Sequence, residues 1–364
     1  MIPEGMEAKD VTEEQIAQVA VDVELFARAN KITNKAMALA IGYSAGVISD
    51  FLAGKYAGNK GQVAIDLESW LVEAEADSHR DQTTTFVWTN VALQILSVAN
   101  YCLDKRKVGM IYGPDTSGLG KTTALQAISQ KMGLRRSTLV TFDKCDASPT
   151  GVLKRISQAM HIPDSGTSAQ RRDRIVEYLT GRSHLLMLDQ IHNLRFSKED
   201  KPLYYLMDIF EATKTAQLWC GTSDMVNYLK RQQGKTLDEP LAQIRRRIFP
   251  SVDLMEGYAE GGDGNGEPLY TIQNIRDMFA KNRLKLTREA AQWLMALAHE
   301  PGSGALGMCF QIVEYATMVA DQRGEKSLDV PILKQAMQMG ITMAKADLIL
   351  IKVEERLHRM VSAG

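Results

Sequence analysis

The stretch Asp115-Thr-Ser-Gly-Leu-Gly-Lys-Thr122 sets a lysine beside a hydroxyl directly behind two glycines. Residues of these types at this spacing suit polyphosphate chemistry. Glycines let backbone N–H groups close around an anion, the lysine reaches the outer phosphates, and the threonine hydroxyl can ligate magnesium. Such a loop works when a strand feeds it and a helix leaves it, because the helix N-terminus adds free N–H groups and a positive dipole end. Both flanks are present: Val108-Gly-Met-Ile-Tyr112 is apolar and strand-like, and Thr123-Ala-Leu-Gln-Ala-Ile128 reads as a helix. Gly118, Gly120, Lys121, Thr122 and Thr123 are therefore the candidate nucleotide-binding residues, with ATP and Mg2+ as cofactors. The pattern departs from Gly-x-x-x-x-Gly-Lys-Thr in carrying Asp115 at the first glycine position, with Gly113 two residues earlier.

A magnesium nucleotide also needs an acid. Ser183-His-Leu-Leu-Met-Leu-Asp189-Gln190 contains an apolar run too short for a helix, and it delivers Asp189 to the C-terminal edge of a strand. Ligands of open parallel sheets sit at that edge, so Asp189 joins Thr122 as a candidate metal residue. Leu218-Trp-Cys-Gly-Thr-Ser223 ends another strand in small polar residues. The hydroxyl of Thr222 or Ser223 could sense the outermost phosphate there, although turn chemistry explains the same residues. In Leu241-Ala-Gln-Ile-Arg-Arg-Arg247 three arginines crowd a helix ahead of a further strand. A guanidinium projecting from a subunit edge could reach a neighbour's phosphate, and Arg247, then Arg246, are the candidates. A solvated basic helix face is the plainer reading.

The elements that must position these residues follow from periodicity. Apolar runs at 108–112, 139–142, 185–188 and 218–221 alternate with helical patterns, which predicts an α/β fold whose parallel sheet is covered on both faces. Before it, helices are expected over Glu13–Ala29, Asn34–Ile41, 44–52 and 62–75. The middle pair has helix-turn-helix spacing: Ala38 packs between the helices, Gly42 takes the turn and Ile48 anchors the second helix. That places Ser44 and Ser49 toward a groove and Lys55 toward phosphates, as candidate DNA contacts of weak or shape-based kind; a helical protein-docking domain has the same pattern. The polar stretch 78–85 reads as a linker, and the glycine-rich, acidic stretch 256–267 as a loop. Helices over 272–281, 288–299, 304–323, 330–339 and 345–360 make the C-terminal third all-helical. The expected organisation is a DNA-binding helical domain (1–77), a linker (78–88), a nucleotide-binding α/β domain (89–260) and a helical lid (261–364).

With 364 residues, 45% of them hydrophobic, the chain has ample material for two or three cores. No apolar run approaches the roughly 18 residues of a membrane span, and the first ten residues lack the basic start and apolar centre of a signal peptide. No membrane partner and a cytoplasmic location are expected. Cys102, Cys145, Cys220 and Cys309 are scattered and read as buried thiols. A net charge of -1 excludes a uniformly basic coat, so any DNA path must rest on local patches.

Loop, acidic strand end, small-polar strand end, arginine cluster and helical lid together resemble the AAA+ ATPases, and a helix-turn-helix ahead of such a module is similar to their transposition-regulator subgroup. The resemblance implies an ATPase that assembles as a homo-oligomeric filament or ring on double-stranded DNA, marks a target, and recruits or stimulates a transposase. Replication initiators and helicase loaders share the same core and are the alternative; a nucleotide-gated DNA scaffold that does not hydrolyse is another. By the same resemblance Gln190 stands where hydrolysing relatives carry the glutamate that activates water. An amide can orient that water without taking its proton, and loss of a general base costs on the order of 10²–10⁴ in rate. Hydrolysis is therefore expected to be impaired, either by a substitution that traps the ATP state or in a natural slow switch. Gly307 falls where many lids place a phosphate-touching arginine. DNA-gripping loops after the second strand point to Lys144, Lys154, Arg155, Arg171, Arg172 and Arg174, which would meet phosphates in a salt-sensitive, non-specific way.

Overall fold

The computed structural model describes residues 7–83, 86–114, 118–197, 201–230, 240–256, 268–300, 305–340 and 343–362. Asp115, most of the glycine-rich stretch 256–267 and Gly304 lie outside the described residues.

The N-terminal region holds helices α1 (Glu13–Ala29), α2 (Asn34–Ile41), α3 (Ala45–Leu52) and α4 (Lys60–Thr83). Thr12 starts α1 through a reciprocal cap with Gln15, and α2 stops at Gly42, whose φ of 79° suits a residue without Cβ. The chain then turns by 112° into α3. Ala38 and Ile48 are buried with Met37 and Phe51, and close a core against Val23 and Phe26 of α1 and Leu67 and Leu71 of α4. The stretch expected to be a polar linker proves helical as far as Thr83, as a continuation of α4. A helix polar all round carries no apolar stripe, so periodicity could not reveal it.

The central domain runs α5 (Asn90–Lys105), β1 (Val108–Gly113), α6 (Lys121–Met132), β2 (Ser137–Thr141), α7 (Pro149–Ala159), α8 (Ser168–Leu179), β3 (Leu185–Asp189), α9 (Lys201–Thr213), β4 (Ala216–Thr222), α10 (Ser223–Lys230), α11 (Pro240–Arg247) and β5 (Ile248–Asp253). The five strands form one parallel sheet in the order β2-β3-β4-β1-β5. Successive side chains serve opposite faces: Ile111, Leu185, Met187, Leu218 and Cys220 pack with Ile95, Leu125 and Ile128 of α5 and α6. Met110, Leu186, Leu188 and Trp219 pack with Ile156, Ile175 and Leu206 of α7, α8 and α9. Coverage on both sides is why these strands read as continuous apolar runs.

The C-terminal part comprises α12 (Ile272–Met278), β6 (Lys285–Leu286), α13 (Arg288–Ala298), α14 (Ala305–Arg323), β7 (Ser327–Leu328), α15 (Val330–Gly340) and α16 (Met343–Ser362). It is not wholly helical: β6 and β7 pair in parallel and tie the start of α13 to the start of α15. Two-residue strands leave no period to read. Trp293, Leu294, Cys309 and Leu333 share one continuous core with α5 and α6, so lid and nucleotide domain pack as neighbours.

The N-terminal helices dock at the opposite, N-terminal edge of the sheet. Arg135, two residues before β2, donates two hydrogen bonds of 2.8 Å to the Glu68 carboxylate, and Arg182, ahead of β3, donates one of 2.9 Å to Asp22. Of the four thiols expected to be buried, Cys145 is exposed, because it falls in a short 3-10 turn (Lys144–Asp146) on the surface.

Candidate nucleotide site

A cavity of about 570 Å³ opens at the C-terminal edge of β1, β3 and β4, between the sheet and α14. On its polar side lie Gly118, Gly120, Lys121, Thr122, Thr123, Asp189, Gln190, His192, Gly221 and Thr222. Phe86, Val87, Ala92, Met278, Leu306 and Phe310 line the apolar side. All five candidate nucleotide-binding residues and both candidate metal residues are thus brought together.

The local sequence explains the geometry. Gly120 takes φ 80° and precedes α6 without any side-chain cap, so the first N–H groups of α6 stay free for an anion. Lys121 is the first residue of α6, and its Nζ lies 3.5 Å from the point a Cβ on Gly113 would occupy, next to the end of β1. The Thr122 hydroxyl donates a 2.7 Å hydrogen bond to Asp189 Oδ2, and Asp189 is 2% exposed. Two hard oxygen donors at this separation fit Mg2+, which takes few protein ligands and completes its octahedron with water and phosphate. Bound magnesium would neutralise charge on the outer phosphates; the chain contributes the hydroxyl and the carboxylate that hold it.

Gln190 has φ 58° and its N–H donates to Asp189 Oδ1 at 2.8 Å, which turns the chain sharply into a 3-10 helix (Ile191–Phe196). The Gln190 side-chain carbonyl accepts a long, 3.5 Å hydrogen bond from Asn193 Nδ2. Thr222 stands in register with Gly113 and lines the cavity, whereas the Ser223 hydroxyl donates to the Gly113 carbonyl at 3.0 Å. Of the two candidate hydroxyls, only Thr222 faces the cavity. Gly307 lines it as well, and a Cβ there would stand 3.5 Å from Gly118 Cα, so α14 approaches the loop closely.

Several contributors carry no local sequence signal. Tyr270 donates its hydroxyl to the Leu119 carbonyl at 3.1 Å, and its N–H donates to His299 Nε2 at 3.2 Å, which ties the phosphate loop to the C-terminal part. Burial pushes the His299 imidazole down to about 4, so it stays neutral and keeps the acceptor Tyr270 needs. Phe86, Met278 and Phe310 come to the cavity only through the fold. His192 could have been noticed three residues after Asp189.

The remaining candidates lie elsewhere. Arg247 pairs with Glu211 of α9, while Arg246 is exposed ahead of the edge strand β5. Lys144 and Lys154 are exposed, and Lys144 Nζ sits 4.8 Å from the Phe196 ring centre. The arginines are tied down within the chain: Arg155 donates to the Thr141 carbonyl at 2.9 Å and Arg172 to Asp208 at 2.7 Å. Arg171 donates to the Asp164 carbonyl and Arg174 to those of Pro163 and Ser165. They staple the loop between α7 and α8. Ser44 is spent as the cap of α3, accepting from Val47 N at 3.3 Å, while Ser49 and Lys55 are exposed.

Residues 103–229 match the family described as AAA domain. The chain is similar to the Mu-like prophage FluMu DNA transposition protein B of Haemophilus influenzae, with 26% identity over 170 residues. That match covers 46% of this chain and 58% of the relative's length. Among solved structures, the Aeropyrum pernix ORC2 protein matches at 15% identity and TM-score 0.49, covering 70% of this chain and 66% of its own. DnaA from Aquifex aeolicus, solved with AMPPCP bound, matches at 14% identity and TM-score 0.40, covering 66% and 65%.

Proposed function

We propose that this chain binds ATP and magnesium in the cavity between sheet and lid, oligomerises on duplex DNA in that state, and selects target sites to which it recruits or stimulates a transposase. The observation that carries the nucleotide part is the Thr122–Asp189 hydrogen bond beside Lys121 on an uncapped helix N-terminus. Anion donors, metal donors and an apolar wall for a base converge there at a scale suited to one nucleotide. The transposition part is supported by likeness to a transposition protein B and by the helical domain placed ahead of the core.

In this reading Thr222 senses the outer phosphate and Gln190 orients water without deprotonating it, so the ATP state persists. Arg246, exposed ahead of β5, is better placed than Arg247 to reach a neighbour's nucleotide, although the surface pair Arg247–Glu211 is of a kind that gives way easily. The α2–α3 pair serves as a helix-turn-helix with Ser49 and Lys55 toward DNA; Lys144 and Lys154 supply phosphate contacts from the loop side.

Binding of a fluorescent ATP analogue and of duplex DNA, with electron micrographs with and without ATP, tests this. Lys121→Ala should weaken nucleotide binding by about ten- to a hundredfold, the value of a charge-assisted phosphate contact of about 1.5–3 kcal/mol, and abolish ATP-dependent assembly on DNA. Undiminished assembly on DNA without nucleotide would defeat it.

A further inference from the structure

We propose that the His192 imidazole holds the water that attacks the terminal phosphate and receives its proton, the step for which Gln190 supplies no base. This rests on the reading of the cavity as an ATP site.

The left-handed turn at Gln190 and the 3-10 helix after it bring His192 to the same wall as Lys121, Thr122, Asp189 and Gln190. Gly221 makes room for that turn: a Cβ there would stand 3.1 Å from Ile191 Cγ2 and 3.7 Å from the His192 backbone nitrogen. His192 Nδ1 is enclosed, so Nε2, which no described residue engages, is the ring nitrogen left to meet a water in the cavity. No other imidazole lines this site among the described residues.

The ring's surroundings keep it able to accept a proton. Burial lowers its pKa first, then Arg195 on its own turn and Lys121 of α6; Asp189 of β3 and Asp224 of α10 act the other way. The net direction is downward, so the imidazole is neutral at physiological pH. In the step, the water oxygen bonds to the terminal phosphorus and the bond from that phosphorus to the bridging oxygen breaks. ADP leaves with the bonding pair, and a water proton passes to the neutral ring nitrogen. Gln190, steadied by Asn193, orients the same water with its amide.

The test uses the full chain with magnesium and DNA, in wild type, His192→Asn, His192→Gln, Gln190→Glu, and Gln190→Glu combined with His192→Asn. The expected result is a loss of turnover of about tenfold or more in His192→Asn, with affinity for a non-hydrolysable ATP analogue unchanged. The acid limb of kcat/KM should vanish in both His192 variants; titration of the substrate itself is common to all. With Gln190→Glu present, His192→Asn should cost much less, because the carboxylate takes the proton. Wild-type turnover in His192→Asn, equal losses in both backgrounds with the acid limb intact, or a wild type whose turnover appears only with Gln190→Glu each overturns the proposal while leaving the nucleotide site standing. Failure of the wild type to bind the analogue overturns the nucleotide reading, and this with it.

Discussion

Gln190 and Asp189 are adjacent, yet the turn between them gives them separate tasks: Asp189 accepts from Thr122, and Gln190 points its amide at Asn193. Restoring an acid tests that division. Gln190→Glu should raise ATP turnover by at least about tenfold with nucleotide affinity little changed, as read by phosphate release at saturating ATP; no gain would favour a non-hydrolysing scaffold. Lys121, Thr122 and Asp189 were legible in the sequence because each belongs to a short motif whose spacing is set by one strand, one loop or one helix. Tyr270, Phe86 and Phe310 were not, because they reach the site only through packing over long chain separations. The arginines of α8, read in the sequence as part of a DNA track, are bound in the structure to carbonyls and a carboxylate of their own domain.

At the scale of elements, α2 and α3 depend on Gly42. No atom lies within 4 Å of a Cβ placed there, so Gly42→Ala pays no steric cost and only the left-handed backbone opposes it, by about 1–2 kcal/mol. Urea unfolding followed in the N-terminal helices should show a loss of that size. A null effect would mean that the turn relaxes. Gly109 is a different case: a Cβ would stand 2.5 Å from Cys102 Sγ, so β1 and α5 touch there, and Gly109→Ala should destabilise by about 1–3 kcal/mol through overpacking, measured by thermal melting. Strands and amphipathic helices were recoverable from period, as α1 and α2 show with bounds that match expectation. The tail of α4 and the β6–β7 clip were not, one lacking an apolar stripe and the other too short to have a period.

The whole molecule is held by contacts between domains that no local pattern encodes. Arg135 and Glu68 have side chains only 12% and 9% exposed, so removing one partner leaves a charge with little water around it. Glu68→Ala should cost about 3–5 kcal/mol, detectable as a separate early transition of the N-terminal helices and as faster proteolysis after α4. His184 sits under this joint, bonded to Thr138 at 2.9 Å and to the Arg135 carbonyl at 3.0 Å, and burial pushes its pKa down to about 4, as for His299. Between pH 6.5 and 4 the unfolded chain takes up protons that these folded rings refuse. Stability should therefore fall through that window as pH drops, by about 3 kcal/mol per ring, and His184→Asn should flatten part of the slope in urea titrations.

One helix spans the distance between the two ends of this architecture. The 12 residues of α6 start at Lys121, where phosphate would press, and finish beside Arg135, where the N-terminal domain is anchored. At 1.5 Å per residue that is a stiff strut of about 18 Å. The nucleotide cavity and the N-terminal helices then sit at opposite ends of a single lever, so a shift of the phosphates that rocks α6 is delivered, through one rigid element, to the joint that holds those helices.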